Sequence, residues 1–180
     1  MWVAGGLLVA AAVWAVVSYN GFIALSNKCD EAYATMDVYM KKRFDLIPNL
    51  VETVKGYAAH EQGTLEKVVQ ARNRALSAGT LQEKQASEDL LGGTLKSLFA
   101  LSEGYPELKA DGTFINLQNQ LQKAEEDISQ ARKYYNAVVK HFNTKVASVP
   151  SNLLAAVFGF EKLQYFVTDE KERENVVVRF

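Results

Sequence analysis

The stretch Asp45-Leu46-Ile47-Pro48-Asn49-Leu50-Val51-Glu52-Thr53-Val54-Lys55-Gly56-Tyr57-Ala58 decides how the chain is built. Its apolar residues, Leu46, Ile47, Leu50, Val51, Val54, Tyr57 and Ala58, recur at the spacing of one helical face. Pro48 admits two readings. In one, Asp45 caps a new helix by accepting from its first free amides, and Pro48 sits in the first turn, where a missing N–H leaves nothing unpaired. In the other, one long helix passes through and kinks, because the ring crowds the preceding turn and biases Ile47 away from helical angles. Lys41, Lys42 and Arg43, just upstream, read as cations near the C-terminal end of a helix, where its dipole favours them.

Further upstream the pattern turns wholly apolar. Met1 to Asn27 contains no charged side chain, and Trp2 through Val17 is purely apolar. Carried on to Leu25, a helix there is about 36 Å long, enough for a hydrocarbon layer of about 30 Å. Trp14 and Tyr19 read as aromatic residues at the membrane interface. A cleaved secretory signal is the rival, with Ala10-Ala11-Ala12 and Ala15 imitating a cleavage site; it wants a basic residue before the apolar run, and none is there. An uncleaved single-pass anchor is the expectation. Gly6 with Ala10, and Ala11 with Ala15, have the small-xxx-small spacing that lets membrane helices pack closely. Lys28, Lys41, Lys42 and Arg43 all follow the span, which puts the N-terminus outside and the C-terminal domain in the cytoplasm. The three later cations lie about 24 Å beyond Leu25 on a straight helix, more than a Debye length from the headgroups.

Downstream of the anchor the periodicity is helical almost throughout. Cys29, Tyr33, Met36, Met40, Phe44 and Ile47 continue one stripe, so the anchor runs into the first helix of the domain. A second stripe holds Leu65, Val68, Val69, Arg72, Ala75 and Leu76, and Ser77-Ala78-Gly79-Thr80 breaks it, Gly79 as a C-cap and Thr80 as the next N-cap. Leu81 to Glu103 reads as a helix weakened by Gly92-Gly93, at about 1 kcal/mol per glycine, for close packing of a neighbour or a small kink. Gly104-Tyr105-Pro106-Glu107 and Ala110-Asp111-Gly112 read as a loop. Phe114, Leu117, Leu121, Ala124, Ile128, Ala131, Tyr135, Val138 and Phe142 then alternate spacings of three and four, the seam of a long bundle helix. Leu153-Leu154-Ala155-Ala156-Val157-Phe158-Gly159-Phe160 is a short apolar segment of one or two helical turns, stopped by Gly159. It reads either as a lid over one end of the bundle or as a contact surface for lipid or a subunit. The tail Asn175-Val176-Val177-Val178-Arg179-Phe180 is strand-prone and either packs along the bundle or pairs with a copy or partner.

The chemistry of the side chains argues mostly by exclusion. A net charge of -1 gives no basic field for nucleic acid. Cys29, the one cysteine, excludes an internal disulfide and a thiolate metal cluster and reads as a small apolar core residue. His60 and His141 stand in neither HExxH nor ExxH spacing, with Tyr57 and Val138 three residues before them, so a di-iron bundle site fails. Phosphate-loop, dinucleotide and nucleophile-elbow motifs are missing. Glu125-Glu126-Asp127 reads as a solvated face, and Asp45 and Glu52 as a cap and an i,i+3 partner of Lys55.

The run from Asp37-Val38 and Lys42-Arg43 through Asp45-Leu46-Ile47-Pro48-Asn49-Leu50 to His60-Glu61 resembles the signature of the LemA family. So do Ala71-Arg72, Leu98-Phe99-Ala100, Tyr105-Pro106-Glu107-Leu108, Ala131-Arg132, Tyr135-Asn136, Phe142-Asn143 and Phe158-Gly159-Phe160. The chain departs from that pattern at Ser26-Asn27, where an arginine usually precedes the asparagine, and at Tyr33, where tryptophan is common. The resemblance implies a bacterial single-pass membrane protein with a helical bundle and brings no catalytic residue, cofactor or substrate.

The expectation is thus an all-α chain: an anchor (1–27) continuous with an elongated antiparallel bundle of about four to five helices (28–160), then an extended tail (161–180). Its expected function is a self-associating scaffold in the bacterial envelope, held in the inner membrane, without catalytic activity, metal or cofactor. A membrane-tethered sensor or adaptor for a soluble partner is the alternative. The lipid bilayer and further copies of the chain are the expected partners. Leu153, Leu154, Val157, Phe158, Phe160, Val176, Val178 and Phe180 are the candidate assembly contacts.

Overall fold

The computed structural model describes residues 2–167. They form the helices α1 (Trp2–Tyr57), α2 (Gln62–Ser77), α3 (Leu81–Ser102), α4 (Pro106–Ala110), α5 (Gly112–Ala147) and α6 (Ser151–Phe158), with no strand among them. The fold is all-α, as the periodicities require. Val176, Val178 and Phe180 lie outside the described residues. Contacts divide the chain into two compact units, one of Met1–Asp37 with Gln130–Tyr165 and one built on Val38–Ser129.

In the second unit the later part of α1, then α2, α3 and the first part of α5 run alternately up and down. Arg72 of α2 meets Phe44 of α1, Arg43 meets Glu88 of α3 and Glu125 of α5, and Phe99 of α3 meets Phe114 of α5. The core is the periodic set: Phe44, Ile47, Leu50 and Val54 of α1, Leu65, Val68 and Ala71 of α2, Leu91, Leu95 and Leu98 of α3, and Leu117, Leu121 and Ile128 of α5 are all buried. All nine residues of the α5 seam are buried. The α2 stripe is narrower than its sequence promises, since Val69 and Leu76 are exposed.

The helix ends follow side-chain chemistry. Thr80 and Glu83 form a reciprocal capping box, the Thr80 hydroxyl accepting from Glu83 N and the Glu83 carboxylate accepting from Thr80 N. Those backbone donors hold the Glu83 carboxyl below its ordinary value. Gly79 is not a left-handed C-cap; it donates its N–H to the same carboxylate, and the helix ends at Ala78 in extended geometry. Gly159 is the left-handed stop, at φ 72°, that ends α6 as its sequence indicates. The punctuated 104–112 segment contains a helical turn, α4, with Pro106 at its start, and Asp111 Oδ1 then caps α5 by accepting from Phe114 N at 2.8 Å. Ala58 to Glu61 form the turn between α1 and α2, so His60 and Glu61 are not neighbours on a helix.

Gly92 and Gly93 are exposed within an unbroken α3, and a methyl group at either would meet nothing within 4 Å. Neither supports a close-packed neighbour. Gly92→Ala and Gly93→Ala are each expected to raise stability by about 0.5–1 kcal/mol in chemical denaturation, the usual gain from removing a glycine from an exposed helix interior.

In the first unit the early part of α1 and the later part of α5 are antiparallel. Tyr33 meets Tyr135, Phe22 meets Phe142, and Lys145 Nζ donates to Ser18 O at 3.0 Å. The chain then turns through α6 and returns along α5 without regular structure. Buried Asn143 grips this return at both polar ends, Nδ2 donating to Leu163 O at 2.9 Å and Oδ1 accepting from Leu163 N at 2.8 Å, and Tyr135 donates to Gln164 O. Asn143→Ala removes two hydrogen bonds of about 0.5–1.5 kcal/mol each. The expected result is a loss of about 1–2 kcal/mol in thermal unfolding, with cleavage after Lys162 by trypsin under native conditions.

Candidate functional site

The stretch from Asp45 to Tyr57 lies inside α1, so Pro48 neither starts a helix nor ends one, and Asp45 is not an N-cap. A proline at 48 has no N–H to give the carbonyl four residues earlier, at Phe44. Arg72 of α2 supplies that donor: its Nε bonds Phe44 O at 2.7 Å. Pro48 itself is exposed, and its neighbours Ile47 and Leu50 are fully buried. The helix therefore tolerates the ring because a side chain from the next helix replaces the missing amide. Asp45 instead pairs with Lys41 at 3.1 Å on the surface, a contact worth little.

Arg43 corrects the reading of the cation run. Helix α1 continues to Tyr57, so these cations are not at a helix end, and Arg43 is 2% exposed. Its Nη2 donates to the buried carboxylate of Glu88, its Nη1 donates to Glu125 at 2.6 Å, and its Nε is buried with no hydrogen-bond partner. Glu125 is therefore not simply part of a solvated face, although about half its side chain is open to water.

A second polar layer closes the far end of this unit. Tyr57 donates to Asp111 Oδ2 at 3.0 Å, and Tyr105 donates to Glu61 at 3.2 Å. Asp111 is held below the usual carboxylate range, first by the Phe114 amide and then by the Tyr57 hydroxyl, while the bond to Asp111 pushes the Tyr57 phenol up. Between α1 and α2 lies an open groove of about 500 Å³, with Val51, Leu65 and Val69 beneath and Glu52, Lys55 and Glu66 on its rim. Glu52 and Lys55 approach to 3.9 Å, as their spacing implies. No hydroxyl, thiol or imidazole lines this groove. Among the described residues no group of three or more His, Cys, Asp or Glu side chains is arranged to hold a metal ion. Burial raises the Cys29 thiol above its ordinary value, with Asp30 adding to it, which makes the cysteine a core residue rather than a thiolate.

The remaining site residues of the sequence lie in the first unit. Gly6, Ala10 and Ala11 are exposed on α1, Ala15 is half-buried, and Trp14 and Tyr19 are each a little over one-third exposed. The N-terminal part of α1 is long and apolar enough to cross a membrane, and nearly all of it is exposed. Leu153, Val157 and Phe158 are exposed on α6, while Leu154 and Phe160 are half-buried. Phe160 stacks on Phe22 at 4.7 Å between centroids and an angle of 15°. Sequence reasoning missed Lys145, whose ammonium lies 4.6 Å from the centre of the Phe22 ring and whose pKa burial lowers. A methyl at Gly21 would overlap that ammonium, so the glycine keeps its path to Ser18 O open; Gly21, directly after Ser18-Tyr19-Asn20, was the one sign of it in the sequence.

Comparison with known proteins gives relatives of low identity. The chain is 24% identical over 177 residues to Magnetosome protein MamQ 2 of Paramagnetospirillum magneticum, covering 84% of this chain and 65% of that protein. It is 24% identical over 185 residues to Magnetosome protein MamQ of Magnetospirillum gryphiswaldense, covering 88% and 68%. Protein LemA of Metamycoplasma hominis matches at 24% over 161 residues, covering 87% and 72%. The chain thus spans 65% of the length of the first curated relatives it matches. The LemA family model matches residues 32–180, which takes in Arg43, Pro48, Arg72 and Asn143, and the chain belongs to the LemA family.

Proposed function

We propose that this protein is a membrane-anchored helical scaffold of the bacterial envelope that associates with further copies of itself. One observation carries the reading. Trp2, Val3, Leu7, Leu8, Val9 and Val13 are each more than half exposed on one uncharged stretch of α1, an apolar surface larger than a soluble monomer keeps open to water. Lipid covers it most economically, with residues 1–27 as the anchor, 28–160 as the bundle and 161–180 as the tail. Gly6, Ala10, Ala11 and Ala15 would let two such spans pack together. The cations after the span favour a cytoplasmic bundle. Names of relatives fit a structural role, since three are called magnetosome proteins, after a cellular structure rather than a reaction.

Mass photometry of the full chain extracted in detergent tests this. Multimers are expected, and a monomer at all concentrations would sink the scaffold. An adaptor is the second reading, favoured by the groove between α1 and α2. A soluble partner recovered with the native chain and lost on Lys55→Glu would select it.

A further inference from the structure

We infer that α6 and the turn before it sit in the headgroup layer of the same bilayer that α1 crosses, as a second, shallow membrane contact. The inference rests on the anchor reading and adds the occupant of the α6 surface. From Leu153 to Phe158 every residue of α6 is apolar: Ala155 is buried, while Leu153, Val157 and Phe158 are 65%, 75% and 52% exposed, and Val149 before the helix is 81% exposed. A helix with apolar residues on every side needs cover on its outer side as well.

Its position in the fold says what that cover is. The Phe158 ring lies 4.8 Å from the ring of Tyr19, which follows the last residue of the apolar run, Val17, by two positions, or about 3 Å along a helix. The exposed face of α6 is therefore level with the end of the purely apolar run, Trp2 to Val17, whose last residues Val16 and Val17 are exposed as well. Tyr19, Phe158 and Phe160 together make an aromatic layer at that height, where membrane proteins place such rings.

Charge points the same way. Asp127 to Glu161 contains no carboxylate between its ends, and none precedes Asp30, while Lys140 and Lys145 fall within the first gap. Lys145 is turned inward to Ser18 O and the Phe22 ring, so exposed Lys140 and the carboxylate-free stretch are what suit an anionic leaflet. A second copy would face this surface with the same lysine.

The test uses the full chain in vesicles of phosphatidylcholine and phosphatidylglycerol, with a nitroxide on single cysteines placed by Leu153→Cys or Val157→Cys in a Cys29→Ala background. Val9→Cys reports the span and Gln70→Cys the water-exposed reference. Labels at 153 and 157 are expected to collide with oxygen several-fold more, relative to a water-soluble nickel chelate, than the label at 70. Values at 153 and 157 equal to that at 70, with 9 still in lipid, overturn the inference and leave the anchor standing. If 9 also matches 70, the anchor reading itself fails. Dipolar broadening between labels at 157, without oxygen preference, would assign the face to a second copy and likewise overturn the lipid contact.

Discussion

Replacing Arg43 with methionine is expected to cost about 3–5 kcal/mol, the usual penalty for breaking a buried ion pair on one side only. Glu88 is 6% exposed, and its buried carboxylate would lose the Arg43 guanidinium beside it. Glu125 can turn to water, so it adds little to the loss. Adding Glu88→Leu to Arg43→Met should recover most of the stability, because replacing both members of a buried pair with apolar groups is often neutral or better. The unpartnered Nε of Arg43 makes that recovery larger, since it is a buried donor already unsatisfied in the native chain. Urea unfolding of the full chain in detergent, followed by circular dichroism, measures both. A single mutant within 1 kcal/mol of the native chain would show that water reaches the cluster.

The next largest effect belongs to Arg72. Arg72→Met strands the Phe44 carbonyl, which no amide at 48 can reach, for an expected loss of about 1–3 kcal/mol. Pro48→Ala restores the N–H, so in that background the same Arg72 substitution should cost markedly less. The coupling between the two positions, read from a double-mutant cycle, is the quantity to measure. Equal losses in both backgrounds would mean that Arg72 acts through its other contacts.

Much of this fold was legible because helices advertise themselves by period. The α5 seam, the α1 stripe from Cys29 to Ile47 and the Thr80 cap appear in the sequence as they stand in the structure. What escaped was long-range partnership. Lys41-Lys42-Arg43 look alike in the sequence, yet two lysines face water and the arginine enters the core, because only position 43 lies on the buried side of α1 beside Glu88 and Glu125. Pro48 presented the same problem: local rules weigh its lost amide as a break, and a donor 28 residues beyond Phe44 in the chain replaces it. On α6 the sequence identified an apolar segment without showing which of its residues are covered. Phe160 closes against Phe22 of α1 and Phe142 of α5 and Ala155 is buried, while Leu153 and Val157 are exposed.

The Arg72 bond to Phe44 also has a consequence for how the molecule breathes. Fraying α2 away from α1 withdraws the donor that keeps the proline turn helical, so the two segments lose protection as one cooperative block rather than in sequence. Amides in 49–54 and 65–75 should then share a single opening free energy in native-state hydrogen exchange, and the Arg72→Met chain should exchange the first group sooner than the second.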